Sequence, residues 1–250
     1  MYYAVAVTSE GLLALTDLLG NCVHLLTEEG KLLRSIGEDV LGGLLYGVAF
    51  DLRGNIWVTD CDNNKVVKLS LDGQVLQTVC RASSGSVHLG NPSGVAVNAE
   101  GLIYVSDPDN HRVTVHNEEG KFLFAFGSKG SGPGCFDGPG DVAFGSDGLV
   151  YITDLRNERV CVWLKDGTFK RDFKTESAPT CIAATSDNHL LITSLSSHVV
   201  MVYTVEGQLV HQFGGKGCGP GRFNLPEGIC IDHCGLVYVV DSSNERVQVF

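Results

Sequence analysis

The sequence lacks the segments and motifs that mark several broad classes of protein. No charged segment precedes an apolar run at the amino-terminus, and no apolar run approaches the length of a membrane span, so we expect neither a signal peptide nor a membrane partner. No Cys-x-x-Cys, His-Glu-x-x-His or Gly-x-Ser-x-Gly motif occurs. The sequence therefore shows no constellation for nucleophilic or metal-assisted catalysis. We expect no catalytic residue, no metal and no cofactor.

Basic residues are also scarce. The chain has 18 Lys and Arg against 29 Asp and Glu, a net charge of −11. A domain that binds duplex DNA is normally basic, so DNA is not an expected partner. The nine cysteines are an odd number, and several lie in apolar runs where a free cysteine behaves as a small buried hydrophobe. This usage favours a reduced, cytoplasmic protein.

Glycine is abundant, at 31 residues, and it accompanies a repeated phrase. The clearest copy covers residues 91–127, with Gly-Leu-Ile-Tyr-Val-Ser-Asp at the start of its central part. A marker residue recurs every 40 to 47 residues, a period typical of four-stranded propeller blades. The markers are Asp17, Asp60, Asp107, Asp154, Ser194 and Asp241.

Each copy contains four short apolar segments separated by turn residues, which predicts four β-strands. A single sheet of this kind would expose two apolar faces, and radial stacking covers both. We therefore predict an all-β, six-bladed propeller that forms one domain over residues 1–250 and is monomeric. The predicted blades are 3–37, 44–79, 91–127, 138–173, 178–214 and 225–250. The last copy stops after its third strand, so we expect an incomplete blade with an exposed edge, as in a chain cut from a longer protein.

Two motifs carry a resemblance to a known family. The turn Asp-x-x-Asn-x-[Arg/Lys]-Val follows the second strand of four copies, and residues 127–144 and 214–231 contain glycine-rich joins ending in Phe-x-x-Pro. These motifs resemble NHL repeats, and the resemblance covers nearly the whole chain, with departures in the first and fifth copies. Propellers of this family form the carboxy-terminal domain of tripartite-motif (TRIM-NHL) ubiquitin ligases, where they resemble recruitment modules for substrates or RNA. Catalysis there belongs to an amino-terminal RING domain. This sequence has no RING-type zinc spacing, so any ligase activity would lie outside it.

The residues of the shared turn are interpreted as structural, because the pattern repeats once per blade and each aspartate can accept N–H groups of its own turn. They are Asp60, Asn63, Asp107, Asn110, Asp154, Asn157, Asp241 and Asn244. Phe136 and Phe223 hold matching positions in two joins and are expected to pack the join onto its blade.

Charge is sorted between the two rims of the predicted propeller. One rim carries the turns after the first and third strands and thirteen of the acids, and we call it the acidic face. These acids are Glu10, Glu28, Glu29, Asp51, Asp72, Glu100, Glu118, Glu119, Asp147, Asp166, Asp187, Glu206 and Asp232. The other rim carries the blade links and the turns after the second strands, and we call it the link face. Basic side chains cluster on the link face, which predicts that a protein or peptide docks there.

The residues expected to bind the partner are His111, Lys129, Arg156, Glu158, His198, Lys216 and Arg222. The expected function is substrate or partner recognition in an NHL-type ubiquitin ligase. One alternative is binding of single-stranded or stem-loop RNA on the same face. A second is a metal-dependent propeller lyase or lactonase. Such an enzyme needs acids and histidines on the central channel, whereas the first strands here read as apolar.

Overall fold

The computed structural model describes residues 1–79 and 88–250, which form six antiparallel sheets around a central channel. Cys80 lies outside the described residues. The strands are β1 (Tyr2–Val7), β2 (Leu13–Asp17), β3 (Cys22–Leu26), β4 (Leu32–Ile36), β5 (Leu45–Phe50), β6 (Ile56–Asp60), β7 (Lys65–Leu69), β8 (Val75–Val79), β9 (Val95–Val97), β10 (Ile103–Asp107), β11 (Arg112–His116), β12 (Phe122–Phe126), β13 (Pro139–Phe144), β14 (Val150–Asp154), β15 (Arg159–Trp163), β16 (Phe169–Lys174), β17 (Ile182–Ala184), β18 (His189–Ser194), β19 (Val199–Thr204), β20 (Leu209–Gly214), β21 (Pro226–Ile231), β22 (Val237–Asp241) and β23 (Arg246–Val249).

Five blades contain four strands in sequence order, and the sixth contains the three strands β21, β22 and β23. The innermost strands contact one another in a closed ring, β1–β5–β9–β13–β17–β21 and back to β1. The predicted six-bladed propeller, with its three-stranded last blade, is confirmed. Within the described part, the helical segments are three 3-10 turns after second strands, at Pro108–Asn110, Leu155–Asn157 and Ser242–Asn244. None of the described helices is long and apolar enough to cross a membrane.

The core lies between adjacent sheets rather than inside any one of them. Every residue of β6, β10 and β14 is buried, because the second strand of a blade is covered on both faces by its neighbours. The outer strands instead alternate between covered and exposed positions; β16 is an example. Burial therefore follows the position of a strand in the blade.

The innermost strands approach so closely that glycine is needed where they begin. A Cβ atom at Gly94 would lie 2.7 Å from the Cα atom of Asp141 in the next blade. A Cβ atom at Gly228 would lie 2.6 Å from the Cα atom of Ala4. Because both contacts are to backbone, a larger residue would push two blades apart.

A hydroxyl near the end of the second strand ties neighbouring blades together at the same level. The Oγ1 of Thr59 accepts a hydrogen bond from the amide of Gly47 at 2.6 Å and donates one to the carbonyl of Ser93 in the next blade at 2.7 Å. Equivalent bonds between blades run from Ser106 to the carbonyl of Gly140 and from Thr153 to the carbonyl of Thr180. These bonds satisfy carbonyls that strand pairing leaves free.

Candidate functional site

The turn after the second strand is built on a buried aspartate. Asp107 is fully buried, and its carboxylate accepts hydrogen bonds from Asn110 Nδ2 at 2.9 Å, from Arg112 Nε at 2.8 Å and from the amide of Gly90 at 2.6 Å. The same set recurs at the other predicted turns, around Asp60 with Asn63, Asp154 with Asn157 and Asp241 with Asn244. The geometry gives each of these residues a structural task.

The cation of each turn reaches back to the preceding blade link. Arg246 Nη2 donates to the carbonyls of Gly219 and Arg222, while its Nε donates to Asp241. Arg159 and Arg112 make corresponding bonds to carbonyls of their own links. These arginines are paired with buried carboxylates, so they add little free positive charge to the link face.

Three of the predicted partner residues occupy a left-handed position that ends the turn. His111, Glu158 and His198 have φ angles of 51°, 50° and 58°. His198 Nδ1 accepts a hydrogen bond from the amide of Leu225 at 3.1 Å, so His198 braces the link into the next blade. His111 Nδ1 lies 3.7 Å from Asp137 Oδ1, and Glu158 is exposed.

The other four predicted residues are exposed cations on two links and one turn. Lys216 and Arg222 lie on the link over residues 214–225, and Lys129 lies on the link over residues 127–138, two blades away. Arg156 pairs with Asp137 at 3.3 Å. Within the described residues, Lys129, Lys216 and Arg222 make no salt bridge, although Arg222 Nη1 donates to the carbonyl of Gly214. These three side chains, with Lys174 at the end of β16, carry the unpaired positive charge of the described link face.

The two link phenylalanines are fully buried. Phe136 stacks on Trp163 with ring centroids 5.5 Å apart, and Phe223 packs against Phe213 and Phe250. Each phenylalanine thus anchors a link, and the cations beside it are held on a fixed loop.

The central channel forms a cavity of about 760 Å³ that opens on the link face beside Asn91, Pro108, Leu155 and Arg156. Its wall is largely the apolar side chains of the six innermost strands, as the sequence predicts. Arg156 is the predicted partner residue that lines this mouth, so the structure separates it from Lys216 and Arg222.

Two acids at the start of innermost strands, the half-buried Asp141 and the buried Glu227, escaped the sequence analysis. Asp141 accepts hydrogen bonds from the amides of Val142 at 2.9 Å and Ile182 at 3.0 Å, and burial raises its pKa to about 6. Burial raises the pKa of Glu227 to about 8, and its Oε2 has no hydrogen-bond partner among the described residues. Alignment of the two complete joins could have identified Asp141, because it occupies the position that Gly228 occupies in the other join.

The raised pKa of Glu227 predicts a pH-dependent stability difference. Because the folded state holds this proton more tightly than the unfolded state, the contribution of Glu227 to stability is greatest below its ordinary pKa and is lost as the pH rises towards about 8. We expect Glu227→Gln to gain stability relative to the unsubstituted chain by roughly 2 kcal/mol between pH 6 and pH 8. Urea unfolding at both pH values measures this gain. The exposed Glu206→Gln is the control, and a pH-independent difference for Glu227→Gln would contradict the assignment.

Sequence comparison matches the NHL repeat at residues 89–115, 136–163 and 223–250. Human NHL repeat-containing protein 3 is 46% identical over 37 residues, which are 15% of this chain and 11% of that protein. Protein lin-41 of Caenorhabditis elegans is 53% identical over 38 residues, which are 15% of this chain and 3% of that protein. E3 ubiquitin-protein ligase TRIM71 of Xenopus tropicalis is 47% identical over 38 residues, which are 15% of this chain and 5% of that protein. The matches thus span a small part of these relatives.

Solved structures share the fold at low sequence identity. Virginiamycin B lyase from Staphylococcus aureus superposes with a TM-score of 0.72 at 17% identity, covering 100% of this chain and 83% of the lyase. A gluconolactonase from Xanthomonas campestris superposes with a TM-score of 0.76 at 16% identity, covering 96% and 82%. At this identity the likeness concerns the propeller fold alone.

The matched repeats include the turns built on Asp107, Asp154 and Asp241. A propeller of this kind fits a protein-interaction domain. The chain is a six-bladed β-propeller that contains NHL repeats at residues 89–115, 136–163 and 223–250.

Proposed function

We propose that this chain is a non-catalytic recognition domain that binds an acidic protein or peptide on its link face, in the cytoplasm, as the substrate-recruiting part of an NHL-type ubiquitin ligase. The ligase context is supported by the short match to TRIM71. The cytoplasmic setting is supported by the eight described cysteines, all of which are free thiols.

The observation that carries the proposal is the pair of unpaired cations, Lys216 and Arg222, on one anchored link. Both are exposed, and Phe223 lies fully buried between them and the blade. On the acidic face, by contrast, exposed carboxylates such as Glu119 and Glu206 remain without a cationic partner among the described residues. The link over residues 214–225 itself contains no carboxylate, so its two cations attract an acidic partner to this loop.

Protein is favoured over RNA because stacking surfaces are scarce. Single-stranded nucleic acids bind to positively charged grooves that present exposed aromatic rings. In the described part of the chain Phe250, at 41%, is the most exposed Phe, Tyr or Trp. It packs against Phe213 and Phe223 at one edge of the incomplete blade, so it does not form a platform on the link face.

A recognition domain is favoured over a lyase or lactonase by the channel. Its described lining is built from residues such as Val5, Val48, Val95, Val142 and Ile229, and it includes no histidine. The carboxylate of Asp141 is engaged by two backbone amides. This lining offers little for metal-assisted chemistry.

The charge proposal predicts the outcome of a selection from a random peptide library. Peptides that bind the purified chain are expected to be rich in Asp and Glu. The double variant Lys216→Glu/Arg222→Glu should weaken their binding at least about tenfold, chiefly through a slower association that salt also reduces. Surface plasmon resonance at two salt concentrations measures both effects.

The matched control is Glu119→Lys/Glu206→Lys, which changes two charges on the opposite face and should leave the affinity within about threefold, since exposed charges far from a binding site contribute little. Short RNA oligonucleotides are titrated in parallel. Binding of RNA with a steep salt dependence that the link-face variant abolishes, without peptide binding, would replace the protein assignment by the RNA one.

The ligase context has a separate test in the full-length protein. The full-length protein is immunopurified and then incubated with an E1, an E2 and ubiquitin. It is expected to form ubiquitin chains. Removal of this propeller should stop transfer to a bound substrate while self-modification continues. Undiminished substrate modification without the propeller would remove the recruiting role.

A further inference from the structure

The first blade has lost the asparagine and the cation that bind the buried aspartate of the turn in four other blades. Its marker, Asp17, is followed by Gly20 where four of the other blades have asparagine and by Cys22 where those four have lysine or arginine. Two residues beyond Cys22, the third strand carries His24. The carboxylate is retained while its usual cation is replaced by a thiol and an imidazole.

These three side chains converge on one point. His24 Nε2 lies 3.2 Å from Asp17 Oδ2 and 4.0 Å from Cys22 Sγ. The three candidate ligand atoms lie within 4.8 Å of one another, and this is the group of three such side chains found among residues 1–79 and 88–250. Cys22 is buried, and Asp17 and His24 are each less than one-fifth exposed.

The separations are close to those of a tetrahedral zinc site. With bond lengths of about 2.0 to 2.1 Å to nitrogen and oxygen and about 2.3 Å to sulfur, tetrahedral ligands lie about 3.4 Å apart for nitrogen and oxygen and about 3.6 Å apart for nitrogen and sulfur. The observed distances of 3.2 and 4.0 Å need adjustments of less than about half an ångström.

The surrounding groups already orient the imidazole and the carboxylate. Ser35 Oγ lies 2.8 Å from His24 Nδ1, so Nδ1–H can donate to the hydroxyl and the lone pair of Nε2 then faces Asp17. Cys22 Sγ lies beside the ring, 3.9 Å from Nδ1 and 4.0 Å from Nε2, so the Cys22 side chain must rotate towards Nε2 to share an ion with the other two ligands. The other carboxylate oxygen, Asp17 Oδ1, accepts the amide of Leu19 at 3.0 Å and lies 3.3 Å from the Met1 amine. Oδ2 therefore remains directed at His24.

We propose that Asp17, Cys22 and His24 bind one zinc ion, with water as the fourth ligand. Sulfur, imidazole and carboxylate together favour zinc over magnesium or calcium, which prefer oxygen alone. In the first blade the ion takes the place of the lysine or arginine of four other blades: it neutralises Asp17 and fixes the turn. The site lies in the turn of a blade rather than on the channel wall.

Cobalt and zinc titrations of the metal-free chain, prepared without a histidine tag, test this site. One equivalent of Co²⁺ is expected to produce visible bands of tetrahedral cobalt together with thiolate-to-cobalt charge transfer. One equivalent of Zn²⁺ should abolish both and raise the melting temperature. Cys22→Ser and His24→Gln should each weaken Zn²⁺ binding at least about tenfold, measured by competition with a chromophoric chelator.

Two further variants separate metal binding from general damage to the fold. Cys22→Arg recreates the arrangement of the other blades, so it should fold, lose the cobalt bands and melt at a temperature that Zn²⁺ no longer changes. Cys234→Ser removes the exposed thiol that lies 3.3 Å from His233 Nε2 and should leave the bands intact. Absence of charge transfer in the unsubstituted chain, or bands that survive in Cys22→Arg, would overturn the proposal.

Discussion

Replacement of Asp154 by alanine is expected to lower the free energy of unfolding by about 3 to 5 kcal/mol. Asp154 is fully buried and accepts Arg159 Nε at 2.8 Å, Asn157 Nδ2 at 2.7 Å and the amide of Asp137 at 2.7 Å. The side chain of Arg159 is only 6% exposed. Loss of the carboxylate leaves this guanidinium with one remaining acidic partner, Asp172, and leaves a link amide without an acceptor.

Urea unfolding followed by circular dichroism measures the loss. The double variant Asp154→Ala/Arg159→Met should recover part of it, because it removes the buried charge together with its partner. Arg156→Ala changes an exposed arginine two residues from Asp154 and should shift stability by less than about 0.5 kcal/mol. A loss below about 1 kcal/mol in Asp154→Ala would show that this aspartate does not secure the blade.

Replacement of Phe136 by alanine is expected to have a similar cost, about 3 to 5 kcal/mol, for a different reason. Its ring is fully buried between Trp163 and the backbone at Gly127, where a Cβ atom would lie 2.5 Å from the ring. Truncation removes the transfer free energy of the ring and opens a cavity under the link. The link over residues 127–138 then loses the contact that holds it on the fourth blade.

Thermal and urea unfolding report this change, and Leu123→Ala, at a side chain that is 44% exposed, is the matched control. Phe136→Leu should cost less than half as much, because it refills part of the cavity. Phe223→Ala tests the equivalent anchor two blades away, and its cost should add to that of Phe136→Ala within about 0.5 kcal/mol if the links are independent. Tolerance of alanine at both positions would contradict the anchoring role.

Most of the fold was readable in the sequence because a repeat presents the same evidence several times. The spacing of Asp60, Asp107 and Asp154 fixed the blade period, and the number of copies fixed the blade number. The three-stranded last blade followed in the same way. Even the structural task of the shared turn was visible, since the same motif recurs in four of the six blades.

The binding residues were harder to predict. The sequence shows which residues are charged, but it does not show which of these charges are neutralised by a neighbouring side chain. Arg246 and Lys216 look alike in the sequence, yet Arg246 is paired with the buried Asp241 while Lys216 is unpaired among the described residues. From the sequence, His198 was expected at the exposed tip of a turn. In the structure its Nδ1 accepts a hydrogen bond from the amide of Leu225. Whether these residues bind a partner is a prediction that the experiments above address.

The sequence by itself determined the strand pattern, the blade number and the identity of the turn residues, because these depend on local periodicity repeated along the chain. Only the tertiary structure decided which charges are neutralised, which acids are buried at the channel and which side chains meet in the first blade. Those properties depend on distances between residues of different strands and blades. These distances are set only when the six blades pack into the closed ring, so the order of residue types along the chain does not reveal them.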